Sequence, residues 1–157
     1  MDSDGQKQLA QLINNHRWAC LATLHEGAPY ASFVAYVPDE DFSGFLIHVS
    51  CLAPHTQNLL ADARATLAIT EQDQGKGDPQ TLMRVSIQGR VIGLERDSSD
   101  YQRARMLYLR RLPDAGQLFT FSDFILFRFI PLQIRFVAGF ARTWDMSPEQ
   151  LQSAAGA

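Results

Sequence analysis

From Trp18 onward the apolar residues of this chain recur at every second position, in runs too closely spaced for anything but turns between them. Trp18, Cys20, Ala22 and Leu24 make the first run. Tyr30, Ser32, Val34 and Tyr36 alternate with Ala31, Phe33, Ala35 and Val37 in the second, and Phe45, Ile47 and Val49 make the third. A period of two is the signature of a strand, whose side chains alternate across the sheet. His25-Glu26-Gly27-Ala28-Pro29 and the acidic stretch from Pro38 to Gly44 supply turn residues between the runs. Parallel neighbours need a crossover of about a dozen residues or more. The first three strands are therefore expected to be antiparallel, each pairing with the next as a meander.

The rest of the chain continues the pattern with helices interspersed. Before the first strand, Leu9, Leu12, Ile13 and His16 fall at i, i+3, i+4 and i+7, one stripe of a short helix. A short helix is expected over Pro54–Asp62, with proline tolerated at its first turn. Strands follow over Ala65–Thr70 and Arg84–Ile92, separated by a polar loop from Glu71 to Gln80. A helix is expected from Ser99 to Arg111, where Ser99 and Gln102 have capping-box spacing. Two closing strands, Phe124–Ile130 and Leu132–Ala138, are expected to be separated at Pro131, and the small polar tail after Pro148 to be disordered. The expected fold is mainly β within the α+β class: a split β-barrel of about six antiparallel strands with flanking helices. Its 157 residues suit a single domain, residues 1–157.

Composition narrows the function classes. The net charge of −3 argues against a nucleic-acid partner, which calls for a basic excess. The most apolar stretch, Phe124 to Phe140, is broken by Arg128, Pro131, Gln133 and Arg135, so no membrane span is expected. Cys20 and Cys51 form neither a CxxC pair nor a disulfide framework and read as inert thiols. The opening residues lack the basic and apolar regions of a secretory leader, and a reduced cytoplasmic setting is the expectation. Nucleotide-binding glycine motifs, the HExxH motif and the GxSxG elbow are all absent, and no metal site is expected.

One segment concentrates polar donors. From His48 to Leu59 the chain runs from a strand end through Ser50 into the first turn of a helix bearing His55 and Thr56. A helix start offers unpaired N–H groups and partial positive charge, so this segment reads either as an anion site or as a helix cap made by Ser50 or a neighbour.

Four pieces of sequence place that segment in a wider pattern. They are Cys20–Tyr30, Val49–Leu59, Arg84–Gly89 and Phe127–Arg142. In this order they resemble the pyridoxamine 5′-phosphate oxidase-like, FMN-binding split-barrel superfamily, over about Leu9 to Asp145. The Ser50–Thr56 piece, Ser122-Asp-Phe124 and the Val137–Arg142 ending resemble its subgroup related to haem-utilisation proteins. The resemblance implies a homodimer with the cofactor at its interface. It implies cofactor contacts from Ser32, Phe33, Val34, His48, Val49, Ser50, His55, Thr56 and Arg84, with Arg142 as a further candidate. The oxidases surround their phosphate with Arg and Lys, whereas the matching positions here are Ser32, Val37, Pro54 and His55. Their C-terminal Arg-x-His pair is matched here only by Arg142-Thr-Trp144, which argues against vitamin B6 as substrate.

The expectation is an FMN-binding oxidoreductase acting on a small molecule, with no catalytic side chain assigned. The alternatives are a haem-binding or haem-utilisation protein and a non-catalytic flavin carrier. Against haem, the subgroup carries a C-terminal histidine ligand, and this sequence has no histidine after His55. The phosphate is expected at the start of the Pro54–Asp62 helix, against Ser50, His55 and Thr56.

Overall fold

The computed structural model describes residues 1–157. Its elements run α1 (Ser3–Asn15), β1 (Trp18–His25), β2 (Ala28–Ala35), β3 (Val37–Pro38), β4 (Phe45–Ser50), α2 (Pro54–Ala61) and β5 (Arg64–Thr70). They continue with β6 (Arg84–Gly93), α3 (Ser99–Arg111), β7 (Phe124–Val137), β8 (Thr143–Met146) and α4 (Pro148–Ala155). Short 3-10 turns occupy Pro79–Thr81 and Pro113–Thr120.

One antiparallel sheet carries the fold, in the order β2-β1-β5-β6-β7-β4-β3, with β8 added on β7. Its edge strands β2 and β3 are consecutive in sequence, joined by Tyr36 alone. Two edges linked by one residue cannot lie flat apart, so the sheet curls almost closed into a split barrel. Tyr36 is fully buried at the seam, and its hydroxyl donates to the Ile13 carbonyl at 2.8 Å. The meander is accordingly corrected. β1 and β2 form the expected hairpin, but β4 crosses the seam and pairs with β7, Ile47 opposite Phe127. Period two identifies strands; it does not choose their neighbours.

Three further expectations are corrected. The break at Pro131 is absent, because β7 runs through it: the register of β6 against β7 shifts at Gln88/Gly89, and Gly89 stands opposite Pro131. The irregularity absorbs the missing N–H. Residues after Ser147 form α4 rather than a disordered tail. Ser147 and Gln150 make a reciprocal capping box, and Leu151 and Ala154 are fully buried. The cap of α3 is Ser98, whose Oγ accepts from the Tyr101 N–H at 3.0 Å, while Gln102 donates to the Arg96 carbonyl.

The main core fills the barrel with the inward residues of the strands, and Leu9, Leu12 and Ile13 of α1 join it. A smaller core lies under α3, where Tyr101, Ala104, Tyr108 and Phe119 cover Val37, Leu46 and Leu126. No helix is long and apolar enough to cross a membrane.

Candidate functional site

Two cavities open on either side of an aromatic pair. Trp18 and Phe33 stack at 6.1 Å with planes 9° apart, and both remain more than half exposed. Trp18 starts β1, and Phe33 stands opposite Cys20 on β2, so the pleat turns both rings to the outer face of the sheet.

The smaller cavity, 430 Å³, lies between the end of β4, the start of α2 and the Pro113–Thr120 turn. It gathers Phe33, Val34, His48, Val49, Ser50 and His55 from three elements, so most of the expected cofactor residues share one wall. Ser32 and Thr56 line neither this cavity nor the larger one. Thr56 is fully buried, and the Ser32 and Thr56 hydroxyls have no partner. Arg84 lines the larger cavity, its Nη1 held by the Gln80 and Leu82 carbonyls at 2.8 and 3.0 Å. Arg142 lines neither cavity; it stands between Asp2 and Asp4, 5.3 Å over the Trp144 ring.

The start of α2 differs from the expected phosphate cradle. The Ser50 Oγ donates to Asp123 Oδ2 at 2.7 Å and accepts from the Leu52 N–H at 3.1 Å. The N-cap is Ala53, without a side-chain cap bond, so Ser50 does not cap the helix. A carboxylate thus occupies the hydroxyl proton, and its negative charge opposes a phosphate at this position. Burial draws His55 below the usual histidine range, so it is a weak cation at neutral pH. The one cation on this wall is Arg17, which makes no ion pair. Sequence reading passed over it because a lone arginine between a helix and a strand carries no periodic signal.

His48 is part of the wall but chemically closed. Its ring stacks on Phe119 at 3.8 Å, with Tyr108 and Phe124 at its edges, and neither ring nitrogen has a partner. Burial, aided by the Arg96 charge, pushes it down to about 4. Burial likewise pushes the Tyr108 hydroxyl up to about 12, so it stays neutral.

The larger cavity, 760 Å³, has small side chains at its base, including Cys20, Ala68 and Ser86. His16, Trp18 and Phe33 wall one side, and Arg84 and Arg135 stand on another with Glu71 and Asp73 nearby. Arg135 is paired with Asp145 at 2.7 Å. Cavities of about 300–1,000 Å³ suit small-molecule cofactors, and this one has room for a large planar ring system.

Comparison with known proteins agrees with this architecture. The profile described as CREG, beta-barrel matches residues 4–151. The chain is 29% identical over 155 residues to the non-canonical chloroplast haem oxygenase HOZ of Arabidopsis thaliana, covering 94% of this chain and 46% of that protein. It is 25% identical over 140 residues to the haem oxygenase HutZ of Vibrio cholerae, covering 83% of this chain and 74% of HutZ. A haem-binding protein from Mycobacterium smegmatis superposes with a TM-score of 0.83 at 27% identity, covering 95% of this chain and 60% of that one. The chain therefore spans about half the length of the plant relative. The resemblance to split barrels related to haem-utilisation proteins is borne out.

Proposed function

The chain belongs to the CREG β-barrel family, and on that premise we propose that it binds haem and takes part in its oxidative breakdown. The observation that carries this reading is the 760 Å³ cavity walled by the Trp18–Phe33 stack, with Arg84 and Arg135 beside it. A flat apolar macrocycle would cover the exposed rings, at a gain on the order of 1–2 kcal/mol per ring, since each is already partly buried. Arg84 makes no ion pair and would meet one of the two carboxylates that haem carries, while Arg135 shares its charge with Asp145. The names of the relatives HOZ and HutZ, both haem oxygenases, support the same reading. Bound haem supplies an iron centre that activates dioxygen; the chain supplies the aromatic wall, the cations and shelter from water.

A second copy of the chain completes the site. The outer face of β1 and β2 offers Ala22 and Ala31 directly opposite each other, flanked by the exposed Trp18 and Phe33. Small side chains let two sheets approach closely, and a dimer across this face encloses the mouths of both cavities.

Flavin mononucleotide is the second reading, favoured by the unpaired Arg17 beside His55 at the smaller cavity. The Ser50–Asp123 bond weighs against it.

The test is a pair of titrations of the purified protein, with haemin and with FMN, followed by absorption. A sharpened, shifted Soret band that saturates, with no quenching of FMN fluorescence, is the expected result. Saturable FMN binding with an unbound haemin spectrum would overturn it. With haem bound, an added reductant and dioxygen should bleach the Soret band.

A further inference from the structure

We infer that His16 is the side chain that ligates the iron of a haem in the larger cavity; the inference rests on the haem reading above. His16 Nδ1 lies 2.8 Å from the Leu12 carbonyl oxygen. A carbonyl can only accept, so Nδ1 carries the proton, and in the neutral ring the Nε2 lone pair is left free. This is the arrangement typical of metal-bound imidazoles, whose second nitrogen donates to a backbone carbonyl or carboxylate.

The ring stands in the wall of that cavity and is held in place. It lines the cavity next to Trp18 and Cys20 and is only half-buried. Its backbone is clamped from α3, where Arg111 Nη2 donates to the Asn14 and His16 carbonyls at 2.7 and 2.8 Å. The buried Leu12 and Ile13 fix the preceding helical turn. The imidazole is thus positioned by one hydrogen bond to its ring, two at its neighbouring carbonyls, and a packed helix end.

The other three histidines are less suited. Both nitrogens of His48 are sealed among aromatic rings. His25 is at the far end of β1, roughly 23 Å from Trp18 at about 3.3 Å per residue, and lines neither cavity. His55 lines only the smaller one. Cys20 is the one sulfur in the larger cavity, and its spectrum as a ligand would differ from that of an imidazole.

The experiment titrates haemin into the full chain as wild type, His16→Ala, His16→Gln, His55→Ala and Cys20→Ser, reading affinity, ferric absorption and electron paramagnetic resonance. Glutamine keeps a donor for the Leu12 carbonyl, and circular dichroism checks the fold of each variant. Both His16 variants should bind haemin on the order of tenfold or more weakly and lose the imidazole-ligated spectrum. Added imidazole should restore that spectrum. His55→Ala and Cys20→Ser should retain it. Wild-type spectrum and affinity in folded His16→Ala would overturn the assignment while leaving haem binding intact. Failure of the wild type to take haem would overturn the haem reading, and this assignment with it.

Discussion

The hydroxyl of Ser50 donates to the carboxylate of Asp123 at 2.7 Å, across 73 residues of sequence. The same residue's backbone accepts from the Cys51 N–H at 2.6 Å, so Asp123 ties the end of β4 to the start of β7 through both side chain and main chain. A side chain that resembles a phosphate ligand in sequence is thereby committed to the fold. Asp123→Asn is expected to lower stability by about 1 kcal/mol, the difference between a charge-assisted and a neutral hydrogen bond from Ser50, measured by urea unfolding. It should leave haemin affinity unchanged. A rise in FMN affinity in this variant would show that the carboxylate repels phosphate.

His48 makes stability depend on acid. Its folded value is near 4, against 6.5 for a free histidine. Above pH 6.5 it is neutral in both states. Between 6.5 and 4 the unfolded chain takes up a proton that the folded chain refuses, so stability falls as pH drops, by at most ~1.4 kcal/mol per unit. His48→Phe should flatten this limb, costing nothing at pH 7 because two unpaired nitrogens disappear. Urea midpoints at pH 7 and 4.5 decide the matter: an unchanged pH dependence in the variant would place the acid sensitivity elsewhere.

Gly89 is set by close approach. A Cβ there would run into the Ile130 carbonyl and lie 2.6 Å from Phe129 Cζ, both on β7. Gly89→Ala should destabilise the protein by roughly 1–3 kcal/mol, the usual cost of overpacking. Thermal unfolding provides the measurement, and a neutral substitution would mean that the strand relaxes freely at the irregularity.

The outer face of β1 and β2 is the surface proposed for the second copy. Ala22→Arg places a charge between Ala31 and Thr66, its cross-strand neighbours. Sedimentation should show a dimer for the wild type and a monomer for the variant, with unchanged circular dichroism. A monomeric wild type would sink the dimer.

Much of the fold was legible because hydrophobic period is local. The two-residue alternation of Trp18–Leu24 and Phe45–Val49 became β1 and β4. The stripe of Leu9, Leu12 and Ile13 became the buried face of α1. The helix α4 was also written locally, in the Ser147–Gln150 capping box, but its small polar residues masked the two that are buried. The site was legible only in part. Motif position brought Phe33, Val34, His48, Val49, Ser50 and His55 to one cavity, since all belong to strand ends and a helix start that a split barrel gathers.

By itself the sequence determined which segments are strands and helices, and that neighbouring strands are antiparallel, because alternation, turn residues and loop lengths act within a few positions. Only the tertiary structure decided which strands meet and which side chains remain free. Tyr36 joins opposite edges of the sheet, so β4 lies beside β7 rather than β2. Asp123 takes the Ser50 proton, aromatic rings seal His48, and the Leu12 carbonyl sets the tautomer of His16. Donor availability and burial depend on partners brought close by closure of the barrel, and no local pattern encodes them.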